Sequence, residues 1–237
     1  MTIEEAQPAG HRKKFQEISE HLELMIFLGK LQPGDKISSE RDLMAQFEAG
    51  RSSVREALFS LQRKGLLAIR PGAAARVTSP SANTMVSELS GAARHLLRRP
   101  EGMRGLQEAR ALFEIGLSRR AAMRATREDL EQLAAALEQN RLADDQEEFI
   151  RTDMQFHYTL SMITHNDIFT SLNMALNEWL VDQRRVSARS KMTFAEAYEE
   201  HKAIYDAIAA RDPIAAMVAM ERHLDSVVER YWQHISG

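Results

Sequence analysis

Residues 39–58 read SERDLMAQFEAGRSSVREAL, and this stretch decides the fold of the first part of the chain. Ser39, followed by acidic residues, is typical of a helix N-terminus, because its side chain caps unpaired backbone N–H groups and nearby acidic groups suit the helix dipole. Apolar residues repeat at helical spacing on both sides of a break at 48–50, and a second helix begins at Arg51. Two short helices around a tight break predict a helix-turn-helix.

The flanking segments complete a winged helix-turn-helix. Apolar residues recur at helical spacing from 15 to 28, which predicts a preceding helix. Two short apolar segments, 66–69 and 75–78, flank Pro71-Gly72, and this arrangement is typical of a β-hairpin. Helix, short helix, turn, helix and hairpin is the element order of a winged domain, which we predict over residues 11–78 with the hairpin as its wing.

The remainder of the chain is predicted to be all-helical. A polar linker at 79–83 separates the winged domain from residues 84–237, and residues 1–10 are expected to form a mobile N-terminal tail. No segment after the linker is a convincing strand, and the scarcity of glycine suits a bundle with short connections. Apolar periodicity predicts helices at 84–98, 103–124, 127–141, 145–164, 167–188, 194–210 and 213–235. The predicted fold class is mainly α, with an N-terminal winged helix-turn-helix and a C-terminal helical bundle.

Charge is divided unevenly between these two parts. The net charge is only −3, but residues 11–80 hold 12 Lys/Arg against 8 Asp/Glu, whereas residues 81–237 hold 19 against 24. A basic N-terminal part suits a nucleic-acid partner, and an acidic C-terminal part suits a different one. The chain has no Cys, which excludes disulfides, Cys-based zinc fingers, iron–sulfur clusters and thiol catalysis.

The hydropathy pattern predicts a cytoplasmic protein. The N-terminus has no apolar run of the signal-peptide type, and no segment approaches the roughly 18 uninterrupted apolar residues of a membrane span. Together with the absence of disulfides, this pattern indicates a protein of the cell interior with no membrane partner.

The second helix of the motif has a basic face. Arg51 and Arg55 are four residues apart and lie on one side of the helix, and Arg41 of the preceding helix is placed to approach the same surface. Arginine can pair with guanine or phosphate through two nitrogens, and Ser52 and Ser53 at the helix start can bind phosphate. The alternative is that the arginines pair with acidic neighbours on a solvated surface: Glu40, Asp42 and Glu56.

A second group of residues has the donor types of a metal site. Asp153 and His157 are one helical turn apart, so that a carboxylate and an imidazole project side by side. His201 and His223 lie on two other predicted helices. Three imidazoles and a carboxylate are a suitable ligand set for Zn²⁺ or a similar divalent ion. The alternative is that each histidine is an ordinary core or surface residue.

The N-terminal motifs resemble the DNA-binding domain of the GntR family of bacterial transcription regulators. The residues that carry the resemblance are Ser39–Leu43, Gly50–Leu58, Leu61 and Gly65–Leu67. The resemblance implies that the arginines contact operator bases and phosphates and that Gly72 of the wing reaches the minor groove. Ala74 replaces the usual second wing glycine, and Arg76 could compensate for it. The predicted DNA-binding residues are Ser39, Arg41, Arg51, Ser52, Ser53, Arg55, Gly72 and Arg76.

The C-terminal part resembles the FCD ligand-binding domain of the FadR-type branch of this family. That domain is a helical bundle with a metal site of the form Asp-x-x-x-His…His…His. The resemblance implies the ligand set Asp153, His157, His201 and His223. Arg110 matches an arginine that in this domain often holds the carboxylate of an effector, and the alternative for Arg110 is a surface pair with Glu114.

A closer similarity, to the sialic-acid regulators within this branch, extends across most of the chain. The segments that carry it are Gly65-Leu66, Ala75–Val77, Ser79–Ala82, Glu88–Gly91 and Phe149–Asp153. Residues of an effector cavity change readily between relatives, so sialic acid is one candidate among organic acids.

These inferences together predict a homodimeric, effector-responsive regulator, a repressor rather than an activator. Two winged domains would bind a near-palindromic double-stranded operator, because two-fold symmetry in the protein is matched by its half-sites. A small organic acid held between Arg110 and the metal would shift the DNA-reading domains. Two alternatives are a metal-dependent enzyme acting on such an acid, and a DNA-binding protein whose bundle is purely structural.

Overall fold

The computed structural model of the chain describes residues 13–70, 72–87, 89–189 and 191–236. The chain divides into two compact units, one up to residue 88 and one from residue 89. The predicted tail at 1–10 lies outside the described residues. Part of the predicted linker at 79–83 is helical, because a short helix begins at Ala82 within the first unit.

The first unit has the element order predicted for a winged helix-turn-helix. Its elements are α1 (Lys14–Phe27), α2 (Glu40–Phe47), α3 (Arg51–Arg63), β1 (Leu67–Ala68), β2 (Arg76–Val77) and α4 (Ala82–Ser87). The two strands form an antiparallel hairpin in which Leu67 pairs with Val77 and Ala68 with Arg76. The paired region is shorter than the segments predicted at 66–69 and 75–78, since only two residues of each strand make ladder contacts.

Local chemistry defines the turn between α2 and α3. The Ser39 hydroxyl accepts a hydrogen bond from the Asp42 backbone N–H at 3.2 Å, which caps the start of α2. The helix ends at Glu48, which adopts a left-handed conformation with φ 46°. Gly50 is the N-cap of α3. The buried face of α3 packs with α1 and α2 in one apolar cluster, and the opposite face of α3 is left to solvent.

The second unit is a bundle of helices. They are α5 (Ser90–Leu96), α6 (Pro100–Arg124), α7 (Arg127–Arg141), α8 (Gln146–Met162), α9 (Asp167–Trp179), α10 (Val181–Ser187), α11 (Lys191–Ala209) and α12 (Pro213–Ser236). No described residue of this unit lies in a strand, and the predicted fold class, mainly α with an N-terminal winged helix-turn-helix and a C-terminal bundle, is confirmed. Within the described ranges, no helix is both long enough and apolar enough to span a bilayer.

Two predicted helices were wrong in their extent. The segment predicted at 84–98 forms two helices, α4 and α5, in different units. The segment predicted at 167–188 is broken at Leu180, where φ is −99° and ψ is 16°. Leu180 is fully buried, and neither Gly nor Pro marks the break in the sequence. Helical backbone hydrogen bonds continue across it, since the N–H of Leu180 donates to the Leu176 carbonyl oxygen and the N–H of Arg184 to that of Leu180.

The core of the second unit surrounds a group of buried polar side chains. Residues of α6, α8, α11 and α12 form one large apolar cluster. Phe156 of α8 is fully buried in it, and its ring stacks on the imidazole of His201 at a centroid distance of 4.5 Å. The apolar cluster therefore holds the ring of a predicted metal ligand and shields it from water.

Candidate functional site

The structure brings the four predicted metal ligands together. Asp153 and His157 lie on α8, His201 on α11 and His223 on α12. One ligand atom from each residue lies within 4.8 Å of the others, and all four residues are buried. A buried group with three imidazoles and one carboxylate in this space has the size and donor chemistry of a divalent metal site.

Two of the histidines are held by carboxylates on their outer side. Nδ1 of His157 lies 2.5 Å from Oε2 of Glu114, and Nδ1 of His223 lies 2.8 Å from Oε2 of Glu200. Nδ1 of His223 hydrogen-bonds to a carboxylate, which can only accept, and Nε2 of His157 faces the Arg110 guanidinium, which can only donate. In both rings the proton is therefore on Nδ1. The Nε2 lone pairs of both rings therefore face the centre of the cluster.

The third histidine is oriented by an amide. Nδ1 of His201 lies 3.0 Å from Oδ1 of Asn140. The amide nitrogen of Asn140 donates to the hydroxyl of Thr152 at 3.1 Å, and that hydroxyl donates in turn to the Glu148 and Phe149 carbonyl oxygens. This chain of hydrogen bonds makes Oδ1 of Asn140 the acceptor from His201. Its Nε2 lone pair also faces inward.

The inward-facing atoms of the four residues are all hydrogen-bond acceptors, and Arg110, outside the cluster, directs a terminal nitrogen at one of them, Nε2 of His157, at 3.4 Å. Nε2 of His201 lies 3.3 Å from Nε2 of His223, and Oδ1 of Asp153 lies 3.5 Å from Nε2 of His201. Lone pairs at these distances repel one another, and a cation between them would turn this repulsion into attraction. The residues present therefore fit a divalent metal ion.

Burial sets the protonation states that metal binding requires. Burial lowers the pKa of His201 well below its ordinary value, and neighbouring His223 acts in the same direction. Burial also lowers the pKa of His223, against the opposing effect of Glu200. Burial alone would raise the pKa of the Asp153 carboxyl, but the Arg184 guanidinium beside it holds that pKa far below its usual range. Neutral imidazoles and an ionised carboxylate are the metal-binding forms.

Arg184 is a buried residue of this site that sequence reasoning missed. Its Nε donates to Oδ2 of Asp153 at 2.5 Å, and its terminal nitrogens donate to the backbone and side-chain oxygens of Asn177. Arg184 therefore occupies one carboxylate oxygen of Asp153 and leaves Oδ1 facing the histidines. Arg184 lies on α10 directly before the exposed Arg185, and the sequence carries no signal that distinguishes the buried arginine from the exposed one.

Arg110 lies beside the cluster on α6. Its Nε donates to Oε1 of Glu114 at 2.7 Å, and one terminal nitrogen lies 3.4 Å from Nε2 of His157. The Arg110–Glu114 pair considered from the sequence is present, but it is buried rather than at the surface. Burial alone would raise the pKa of Glu114, whereas Arg110 and His157 hold it well below its usual range. A small cavity is lined by Arg110 together with Asp153, Arg184 and His223.

The predicted DNA-reading arginines lie on the exposed side of the first unit. Arg51 and Arg55 project from α3, and a single carboxylate, Glu40 of α2, lies between them. The distances are 3.0 Å from Arg51 Nε and 3.6 Å from Arg55 Nε to the two oxygens of Glu40. Arg41 is 94% exposed, and its nearest carboxylate is that of Asp42 at 3.9 Å. The arginines therefore form a basic surface that contains two carboxylates, Glu40 between Arg51 and Arg55 and Asp42 beside Arg41.

The other predicted DNA-binding residues are in three different settings. Ser52 is exposed and Ser53 half-buried at the start of α3, where backbone N–H groups lack helical partners. The Ser39 hydroxyl is already engaged with Asp42 as a helix cap. In the wing, Gly72 is exposed with φ 72°, a conformation that favours glycine. Arg76 is exposed and donates to the Gly34 carbonyl oxygen at 2.6 Å.

Comparison with known proteins assigns each of the two units to a known protein family. Residues 14–77 match the model of bacterial regulatory proteins of the gntR family, and residues 106–226 match the FCD domain. The chain is 43% identical to the HTH-type transcriptional repressor NanR of Cronobacter sakazakii over 97% of this chain and 89% of that protein. The chain belongs to the GntR family of bacterial regulators. A second NanR repressor, from Klebsiella aerogenes, is also 43% identical, over 93% of this chain and 86% of its own length.

Solved structures of GntR regulators share the fold. The Streptococcus agalactiae GntR structure superposes with a TM-score of 0.56 and 24% identity, covering 91% of this chain and 99% of its own. McbR/YncC of E. coli superposes with a TM-score of 0.53 and 16% identity, covering 95% of this chain and all of its own. The family is one of DNA-binding regulators and the curated relatives are named as repressors, in agreement with the prediction that the chain is not an enzyme.

Proposed function

We propose that this GntR regulator is a transcriptional repressor that binds a divalent metal and a small organic acid in its C-terminal unit. The observation that carries the proposal is the cluster of three inward-facing imidazoles and one carboxylate, buried in the same chain as a winged helix-turn-helix. The relatives named as repressors, 43% identical over most of the chain, support the direction of regulation.

Double-stranded operator DNA is the proposed partner of the first unit. The exposed face of α3 would enter the major groove, where Arg51 and Arg55 would read base edges, and the wing with Gly72 and Arg76 would lie in the minor groove. The serines at 52 and 53 would bind phosphate through hydroxyls and free backbone N–H groups. Two copies of the chain, as a homodimer, would bind a near-palindromic operator.

Zn²⁺ is the proposed metal. Asp153, His157, His201 and His223 would hold it through three nitrogens and one oxygen, a donor set that suits zinc better than the oxygen-seeking Mg²⁺ or Ca²⁺. When bound, such an ion is a Lewis acid that can accept a carboxylate oxygen from a second molecule.

The proposed effector is a small organic acid, and Arg110 would hold its carboxylate. The guanidinium of Arg110 is fixed on one side by Glu114, which leaves its terminal nitrogens directed towards the cluster and the adjoining cavity. One of those nitrogens lies against the Nε2 lone pair of His157. A metal ligand has no lone pair left for that contact, so metal loading would release this nitrogen for an acid. Sialic acid is one candidate, as a carboxylate with many hydroxyl groups.

Native mass spectrometry of the purified full chain tests these assignments together. The proposal predicts a dimer that holds one zinc ion per chain and loses it in the double variant His157→Ala/His223→Ala. His95→Ala, which changes an exposed histidine, is the matched control and should keep the metal. Equal metal content in wild type and double variant would show that the cluster is an ordinary set of buried histidines in a structural bundle.

A further inference from the structure

One carboxylate is placed between two of the proposed DNA-reading arginines. Glu40 is the first residue of α2, while Arg51 and Arg55 lie on α3. Its Oε2 accepts a hydrogen bond from Arg51 Nε at 3.0 Å, and its Oε1 lies 3.6 Å from Arg55 Nε. The Glu40 side chain is 35% exposed, against 72% for Arg51 and 52% for Arg55, so the carboxylate lies at the base of the surface and the guanidiniums rise from it.

The nitrogen that each arginine uses in this contact decides what it can still bind. Both arginines approach Glu40 through Nε, and among the described residues their terminal nitrogens make no hydrogen bond to a protein acceptor. The pair of terminal nitrogens is the part of arginine that binds guanine O6 and N7 together. Contact with Glu40 therefore restricts the direction of each side chain and leaves its base-reading edge open.

The Glu40 carboxylate also disfavours non-specific binding, in which the arginines contact phosphates instead of bases. In non-specific complexes, arginines turn towards the phosphates, where charge alone supplies the affinity. A negative group at the base of the reading surface repels phosphates and opposes that rotation, whereas an arginine directed at a base edge can keep its contact with Glu40. Discrimination between partners is commonly obtained by such a repulsive element.

We propose that Glu40 is a positioning residue for operator specificity. It holds Arg51 and Arg55 in their base-reading direction and weakens binding to DNA of the wrong sequence. This inference rests on the proposed function of those arginines. Arg41, 94% exposed and 3.9 Å from Asp42, has no comparable support and is suited to a phosphate contact.

The test compares binding to two DNA duplexes. The full-length wild-type protein selects a preferred duplex from a randomised library, and a scrambled duplex of the same composition serves as the non-specific probe. Fluorescence anisotropy then gives both affinities for wild type, Glu40→Gln and Glu56→Gln. Glu56 follows Arg55 on α3 and is exposed, and among the described residues it makes no ion pair, so its variant removes an equal charge without touching the arrangement.

The expected result is specific to Glu40. Glu40→Gln should bind the scrambled duplex more tightly, and its preference for the selected duplex should fall about three- to tenfold, the range expected when one or two long side chains lose their ordering before binding. Glu56→Gln should change both affinities together and keep the preference. A preference in Glu40→Gln equal to that of wild type would overturn the inference, because Glu40 would then act only as a charge.

Variants of the arginines separate this inference from the proposed function. Arg51→Ala and Arg55→Ala should each lower the preference, and if neither does, the proposed reading role of these arginines is wrong. In the double variant Arg51→Ala/Arg55→Ala, adding Glu40→Gln should leave the preference unchanged, since no reading side chain remains to be positioned. A further loss of preference there would mean that Glu40 acts through the fold of α2, and the positioning role would be rejected.

Discussion

His201 and His223 face each other through their Nε2 atoms at 3.3 Å, while both rings turn Nδ1 outward to an acceptor. The outer acceptors, Asn140 and Glu200, place the ring protons on Nδ1 and leave two lone pairs opposed in the interior. Such an arrangement lowers the stability of the metal-free protein and favours a cation at the centre. The outer contacts are thus as much part of the site as the ligands themselves.

The first prediction concerns the outer carboxylate of His223. Glu200→Gln should weaken zinc binding about 10- to 100-fold. The uncharged amide makes Nε2 of His223 a weaker electron-pair donor to the metal, and it stabilises the Nδ1-protonated tautomer less than a carboxylate does. Competition with a chromophoric chelator measures the effect. Glu199→Gln, at the neighbouring exposed position, is the control and should bind zinc like wild type. Equal zinc affinity in both variants would contradict the role given to Glu200.

The second prediction concerns the pH dependence of folding without metal. Burial places the pKa values of His201 and His223 below the ordinary value of 6.5, so below this pH the unfolded chain binds protons that the folded protein does not. The free energy of unfolding of the metal-free protein should therefore decrease as the pH falls from about 7.5 to 5.5, by up to about 1.4 kcal/mol per pH unit for each proton. Urea unfolding at several pH values measures it.

A histidine variant gives this pH dependence its control. His223→Gln removes one of the two groups and should flatten the dependence, whereas His95→Gln, at an exposed position, should leave it as in wild type. If the metal-free wild type shows no loss of stability over this range, the buried imidazoles are not the neutral groups described above.

The third prediction concerns Arg184. Arg184→Met leaves the Asp153 carboxylate buried without its main partner, and the loss of one member of a buried pair costs about 3–5 kcal/mol in the free energy of unfolding. Arg185→Met, next to it but exposed and paired at the surface, should cost no more than about 1 kcal/mol. Zinc should restore part of the stability of Arg184→Met, since a cation beside Asp153 replaces the missing charge. A similar loss of unfolding free energy in the two variants would contradict the role of Arg184 as the buried partner of Asp153.

The fourth prediction separates base contacts from phosphate contacts. Arg55→Ala should weaken binding to the selected duplex by about 1–3 kcal/mol and reduce discrimination at the bases it reads. Arg41→Ala should weaken binding to all sequences by a similar factor and lower the slope of log affinity against log salt by about 1. Affinity measured at several salt concentrations on selected and scrambled duplexes distinguishes the two. If both variants reduced the preference for the selected duplex equally, Arg55 and Arg41 would not differ in the way proposed.

The elements of the first unit follow from local sequence. The cap at Ser39, the break at 48–50 and the start of α3 at Arg51 are each set by a few adjacent residues, and the structure has them where the sequence predicts them. The hairpin around Gly72 was predicted for the same reason, although its strands are shorter than expected. Patterns of this kind depend on interactions between residues close together in the sequence, so they can be predicted from the sequence.

The candidate site was only partly predictable. Helical spacing places Asp153 and His157 side by side, and the family resemblance adds His201 and His223, but nothing in the sequence indicates which acceptor meets each Nδ1. Glu200 precedes His201 in the chain and yet contacts His223 on another helix. Such contacts depend on how helices pack against one another, which local periodicity does not determine.

The break at Leu180 shows the same limit. Periodicity favours one helix over 167–188, because no Gly or Pro interrupts it. In the structure α9 ends at Trp179 and α10 begins at Val181, with Leu180 fully buried between them, and Arg184 of α10 donates to Asp153. The contact between Arg184 and Asp153 joins two different helices, and local periodicity does not predict contacts of this kind.

Operator binding by the metal-loaded protein in the presence of organic acids tests whether the C-terminal unit controls DNA binding through an effector. Anisotropy titrations of the selected duplex are repeated with a panel of acids that includes sialic acid. We expect at least one acid to change the operator affinity of wild type by about 5- to 150-fold, the usual range for coupled sites, and to leave that of His157→Ala/His223→Ala unchanged. An operator affinity that no acid changes, with zinc shown to be bound, would contradict effector control of DNA binding.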